Sequence, residues 1–141
     1  MPNRNILDLS FEELTRYLEG IGERRFRAQQ ILRWVYQDGV HSFGEMKNLS
    51  VSLREQLKKD FVIGHFTPEQ RIEAEDGTVK YLFPLDDGQK IETVVIMGER
   101  RVTVCVSSQA GCKFGCRFCA SGVGGWRRQL SCGEILGQIL T

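Results

Sequence analysis

Cys112-Lys113-Phe114-Gly115-Cys116-Arg117-Phe118-Cys119 decides the reading of this chain. The spacing is C-x3-C-x2-C, with glycines at its edges, Gly111 and Gly115. Upstream, Arg101–Val106 is β-branched and apolar and reads as a strand that leads into the cysteine loop. Downstream, Ser131-Cys132-Gly133-Glu134 has the form of a capping box, in which serine and glutamate three residues apart each satisfy a free backbone N–H. It opens a helix over Ile135–Leu140. Strand, ligand-bearing loop and helix in succession predict the first βα unit of an α/β barrel, with the chemistry at the carboxyl end of the strand.

A cubic iron–sulfur cluster ordinarily takes four thiolates. Three thiolates on one short loop hold three irons and leave the fourth open to a small molecule, just as an open position marks a catalytic zinc. The spacing therefore argues for chemistry over electron storage. Zinc and coincidence stay open as readings of the spacing alone. A zinc site wants four protein ligands, or three plus water, often as paired C-x2-C units, and one such pair is present. His41 and His65 lie far upstream in unrelated segments. Disulfides fit poorly, because the three cysteines crowd together and the total of 5 is odd. The start, Met1-Pro2-Asn3-Arg4-Asn5-Ile6, lacks the apolar core of a signal peptide. Reduced thiols and a cytoplasmic location are expected.

With Phe118 before the last cysteine, the motif resembles that of the radical S-adenosylmethionine superfamily. The wider run Cys105-Val106-Ser107-Ser108-Gln109-Ala110-Gly111-Cys112, continued by Cys119-Ala120-Ser121-Gly122, is narrower. It resembles the dual-specificity RNA adenine-C2 methyltransferases (the RlmN family) and their C8-methylating relatives (the Cfr family). Gly22-Glu23-Arg24-Arg25-Phe26-Arg27-Ala28-Gln29-Gln30-Ile31 and Ile91-Glu92-Thr93-Val94 extend the likeness over most of the chain.

The resemblance implies a 4Fe–4S cluster on Cys112, Cys116 and Cys119, with S-adenosyl-L-methionine on its open iron and Phe118 beside the cofactor's adenine. It implies radical methylation of an adenine, with the methyl group relayed by a cysteine in a C-terminal half. In this relay Glu92 takes the proton from the methylated carbon, and Cys105 resolves the covalent enzyme–RNA adduct. General-base work suits a carboxylate whose pKa is raised by burial. The implied partners are 23S rRNA, tRNA and a low-potential electron donor such as flavodoxin or ferredoxin, with no membrane. The C2 and C8 groups share the cluster motif, Cys105 and Glu92; the N-terminal and hairpin segments look closer to the C2 group.

The chain has 141 residues and a net charge of +1, so an RNA partner must be met by local basic clusters and not by overall charge. No apolar run approaches the roughly 20 residues of a membrane helix. A full eight-unit barrel takes roughly 250 residues. The last residues, Gln138-Ile139-Leu140-Thr141, fall inside a predicted helix, so the chain reads as the N-terminal part of a longer protein, incomplete as a barrel. Its shortness also leaves a non-catalytic RNA- or metal-binding module as the rival reading.

Two domains are expected: a helical RNA-binding accessory module over 1–63, and a β-hairpin segment with the start of the barrel over 66–141. In the first, Ser10-Phe11-Glu12-Glu13 is a capping box flanked by Leu9 and Leu14, for a helix ending near Gly20. A second helix runs from about Arg24 to Gly39, with Phe26, Ile31, Trp34 and Val35 near one face. Ser42 and Glu45 suggest another box, and Val51–Asp60 a last helix, making a four-helix module. In the second domain, Asp76-Gly77 and Asp86-Asp87-Gly88 are hairpin signals between the runs Arg71–Glu75, Thr78–Phe83 and Lys90–Met97.

Arg24, Arg25, Arg27 and Arg33, with Lys47, Arg54, Lys58 and Lys59 nearby, suit either RNA phosphates or a solvated face. Lys113, Arg117, Arg127 and Arg128 put positive charge on the cysteine loop, where it favours thiolates and attracts a polyanion. Trp126 suits base stacking or a core, and Cys132 reads as structural.

Overall fold

The computed structural model describes residues 4–141. Residues 1–3, which begin the expected helical module and the stretch read for a signal peptide, lie outside the described residues. The chain divides into two compact units, one up to His65 and one from Phe66 onward.

The first unit follows its caps. Ser10 Oγ accepts from the Glu13 N–H at 3.2 Å and a Glu13 carboxylate oxygen accepts from the Ser10 N–H at 2.8 Å. This box starts α1, Phe11–Gly20, which buries Leu14 and Leu18. Helix α2, Phe26–Tyr36, buries Ala28, Ile31 and Val35. It starts two residues later than expected and leaves Phe26 exposed, because the buried stripe is set by Ala28 and the residues three and seven positions on. The Ser42–Glu45 box forms, but on a single 3-10 turn, Phe43–Glu45. Among the described residues the unit thus has three α-helices, the last being α3, Val51–Asp60, and not the four expected. Phe43, Met46, Leu53 and Leu57 are buried with the helix faces. Each such side chain contributes about 1.5–3 kcal/mol.

A parallel pair of short strands closes this unit. β1, Arg4–Asn5, lies beside β2, Phe61–Val62. Asn5 Oδ1 accepts from the N–H groups of Leu7 and Gly64, so one side chain ties both ends together. Tyr17 donates its hydroxyl proton to Asp60 at the end of α3. Burial, then the Asp60 carboxylate, push the Tyr17 hydroxyl from its ordinary value of 10.0 up to about 12. A raised folded pKa means stability that is complete below the unfolded value and lost as pH rises through the folded one. Between pH 10 and 12 the protein is therefore expected to lose stability as pH rises, and a Tyr17→Phe variant, which lacks the hydroxyl, is expected not to show that loss. Denaturant titrations of both proteins across that window check this.

The second unit is built on an antiparallel sheet in the order β3-β4-β5-β6: Gln70–Glu73, Val79–Pro84, Lys90–Met97 and Val102–Cys105. Its turns are set locally. Asp76 Oδ1 accepts from the Thr78 N–H and Asp87 Oδ1 from the Gln89 N–H, while Gly77 and Gly88 take positive φ. Side chains alternate across the sheet. Val79, Phe83, Ile91 and Thr93 turn to the buried face. Phe83, Leu85, Ile91, Ala110 and Leu130 form the core, with Phe66, Tyr81 and Ile135 against it. Helix α5, Cys132–Leu140, starts on the Ser131–Glu134 box.

Candidate active site

The cysteine loop leaves this sheet through a neck that sequence reading did not anticipate. β7, Gln109–Ala110, pairs antiparallel with β8, Arg128–Gln129. The Arg127 N–H donates to the Ala110 carbonyl and the Leu130 N–H to the Ser108 carbonyl, each at 2.9 Å. Gly111 has positive φ, and a Cβ on it would collide with the Gly125 carbonyl, so the two sides of the neck approach to backbone contact. A short helix, α4, Ala120–Val123, follows Cys119 inside the loop.

Arg128 braces the neck. Its guanidinium grips the Glu134 carboxylate with two bonds of 2.8 and 2.7 Å and Asp87 with a third of 2.6 Å. The guanidinium holds the carboxyls of Glu134 and Asp87 below the usual carboxylate range, against the burial that raises Glu134. Sequence reading counted Arg128 among the loop's cations for a polyanion; the structure gives it to these two carboxylates.

Cys112, Cys116 and Cys119 are free thiols; Cys116 is exposed and the others half-buried. Among the described residues no three or more His, Cys, Asp or Glu side chains are grouped so as to hold a metal ion. The donor set itself is all sulfur, carried on one loop with glycines at positive φ on either side of Cys112. Such soft donors fit a thiolate-bound cluster and not a hard cation. Phe118 is 94% exposed and offers an open ring face. Trp126 is also exposed, so it is not a core residue. Cys132 is exposed at the first position of α5.

The outward face of the sheet meets the loop in a cleft of about 520 Å³, lined by Leu82, Glu92, Ser107, Ser108, Cys112 and Ser121 among others. The cleft brings together Glu92 and Cys112, the first cysteine of the C-x3-C-x2-C run. Cys105 stands opposite Val94 in the β5–β6 register, and directly opposed residues share a face. Glu92, two positions from Val94, shares it too, so Cys105 and Glu92 project from the same outward face. Cys105 is exposed. Glu92 is not buried as general-base work suggested: its side chain is 52% exposed and pairs with Lys80 Nζ at 3.0 Å. Lys80 is a neighbour that sequence reading missed, since the diagonal contact follows from strand register alone.

Of the basic residues in the first unit, Arg27 is engaged by Glu23, Gln30 and the Asn48 carbonyl. Arg54 donates to the Gly44 carbonyl and Lys58 pairs with Glu55. Arg24, Arg25, Arg33, Lys47 and Lys59 are exposed. Among the described residues no helix is long and apolar enough to cross a membrane.

Residues 4–63 match the family described as ribosomal RNA large subunit methyltransferase N-terminal domain. Across the whole chain, 45% identity over 144 aligned residues relates it to proteins of Staphylococcus aureus, strains JH9 and Newman, each named a probable dual-specificity RNA methyltransferase RlmN. A crystal structure of a radical SAM methyltransferase from Sphaerobacter thermophilus superposes with a TM-score of 0.89 at 39% identity, covering 97% of this chain. The chain spans 40% of the length of each of these relatives. The resemblance carried by the cysteine run is thereby shown along the whole chain.

Proposed function

We propose, for a chain that aligns throughout with RlmN-type proteins, that it is the N-terminal part of a radical S-adenosylmethionine RNA methyltransferase acting on adenine C2 in 23S rRNA and tRNA. The cytoplasm is its place of work. The observation that carries the reading is the cleft, which sets a carboxylate, Glu92, beside the all-sulfur loop, with Cys105 on the same sheet face. The C8 alternative is not favoured, since the curated relatives reported above carry the RlmN name.

In this reading Cys112, Cys116 and Cys119 hold a 4Fe–4S cluster, and the segment around them begins a partial barrel completed by residues beyond this chain. When bound, the cluster and S-adenosylmethionine supply the one-electron chemistry that lets a methyl group add to an electron-poor aromatic carbon. Phe118 offers its ring to the cofactor's adenine. Glu92 accepts the proton of the methylated carbon; its exposure at the cleft leaves it open to the substrate, and RNA binding displaces Lys80 from it. Cys105, as thiolate, attacks the sulfur that links RNA to a distal cysteine: a disulfide forms between the two cysteines and the carbon–sulfur bond breaks. The released carbon keeps that electron pair and takes up a proton, and an external dithiol reduces the disulfide before the next turnover. The exposed cations Arg24, Arg25, Arg33, Lys47 and Lys59 of the first unit meet RNA phosphates. A flavodoxin or ferredoxin delivers the electron.

Nucleoside analysis of 23S rRNA and tRNA from cells with and without the gene tests the assignment. C2-methyladenosine is expected to vanish from both RNAs on deletion and to return on complementation. C8-methyladenosine in its place would transfer the protein to the other group. No change in either nucleoside would leave only a binding role.

A further inference from the structure

Gln138 is a buried polar side chain, 5% exposed, in the last turn of α5, where the other buried residues are Gly133 and Gly137. Its amide makes four hydrogen bonds. Oε1 accepts from the Thr93 hydroxyl at 2.7 Å and from the Ser107 N–H at 2.8 Å. Nε2 donates to the Ser107 carbonyl at 2.9 Å and to the Glu134 carbonyl at 3.1 Å. This uses the two donors and both acceptor sites that a glutamine amide has. A helix position that needed only to fill space would be apolar, because a buried amide is tolerated only where every polar atom is paired.

The contact falls at a particular place. The ladder between β5 and β6 ends with Val94 opposite Cys105. Two residues on, Ser107 has left the ladder, and its backbone N–H and C=O need new partners. The Gln138 amide supplies both, in the manner of a neighbouring strand. The Ser107 hydroxyl then donates to the backbone carbonyl of Glu92 at 2.7 Å. A single side chain thus grips the residue after the Cys105 strand, and through it the backbone of Glu92. It also holds Thr93, the next residue, from the buried face of the sheet.

We infer that Gln138 is a positioning residue: by clamping Ser107 against Glu92 and Thr93, it fixes the relative placement of Cys105 and Glu92 on the outward face, where the sheet edge runs into the cysteine loop. This rests on the proposed function only for the roles of those two residues; the clamp itself is a separate claim. Gln138 is buried and acts through the backbone of Ser107.

The test uses Gln138→Met, which keeps the unbranched shape and loses all four bonds, and Thr93→Val, which removes only the hydroxyl bond to Oε1 and leaves both bonds between Gln138 and Ser107. Residue-resolved amide hydrogen exchange on the full chain is the first readout. In Gln138→Met the Ser107 amide is expected to exchange about tenfold faster, the change that loss of one ordinary hydrogen bond produces. Tyr81 and Phe83 in β4 are expected to hold their rates, and Thr93→Val to leave Ser107 protected. Unchanged exchange at Ser107 overturns the clamp. So does an equal acceleration at Ser107, Tyr81 and Phe83 in Gln138→Met, since that is loss of general stability.

The second readout is covalent protein–RNA adduct in the intact protein, with Cys105→Ala as the reference. Gln138→Met is expected to accumulate adduct while retaining its iron. Adduct in Cys105→Ala but none in Gln138→Met overturns the positioning role and leaves the proposed function standing. No adduct in Cys105→Ala overturns the release chemistry assigned to Cys105 and, with it, the role that Gln138 would serve.

Discussion

Replacing Cys116 by Ala in the intact protein is expected to abolish iron binding. Under anaerobic reconstitution the unaltered protein should take up about four irons per chain, the content of one 4Fe–4S cube. Cys116 is the middle thiol of the three and is exposed, so its removal costs the fold little. It leaves Cys112 and Cys119, and two thiolates do not hold a cube. Iron analysis and the visible absorption of the cluster read the result directly. Stoichiometric zinc without iron uptake in the unaltered protein would sink the assignment in favour of a zinc loop. Full iron content in Cys116→Ala would remove that residue from the ligand set.

The second large effect concerns release. Cys105→Ala protein is expected to keep its cluster, to consume S-adenosylmethionine, and to stop with RNA covalently attached, so that turnover falls to a single event. A thiolate suits the attack on a linking sulfur because it is nucleophilic near neutral pH. Cys105 is exposed on the sheet edge, so its loss leaves no cavity in the core. Glu92→Gln keeps the shape and is a very poor base, and is expected to stall at the same adduct. Both variants are read by mass spectrometry of nuclease-digested protein. Unaltered turnover in Cys105→Ala makes that residue a bystander; loss of iron makes it a ligand. Unaltered turnover in Glu92→Gln leaves Glu92 as a surface partner of Lys80 and nothing more.

The geometry explains why these effects separate. Cys105 and Glu92 sit on an antiparallel sheet, whereas Cys112, Cys116 and Cys119 sit on a loop entered through the β7–β8 neck. Substitutions on the sheet face therefore leave the loop's sulfurs in place. Substitutions at the neck would not: any side chain at Gly111 meets the Gly125 carbonyl.

By itself the sequence determined whatever is settled within a few residues. The boxes at Ser10, Ser42 and Ser131 form as read, because serine and glutamate three apart satisfy each other's backbone groups without help from elsewhere. The turns at Asp76-Gly77 and Asp86-Asp87-Gly88 form for the same local reason, and with them the strands on either side. The likeness to RlmN-type proteins was legible too, since it rests on contiguous runs of sequence: the cysteine motif, Cys105–Cys112 before it, and the stretches Gly22–Ile31 and Ile91–Val94.

Tertiary structure alone decided the rest. Whether Ser42 opens an α-helix or one 3-10 turn depends on where Phe43 and Met46 are buried, not on the cap. The pairing of Arg4–Asn5 with Phe61–Val62, and of Gln109–Ala110 with Arg128–Gln129, joins backbones far apart in sequence with strands of two residues, too short to show any periodicity. Arg128 read as one cation among several until the fold brought Asp87 beside it. Gln138 read as one more residue of a helix, yet its amide replaces a missing strand for Ser107. A local motif carries its own hydrogen-bond partners, whereas these residues find theirs only once the sheet, the neck and the last helix have come together.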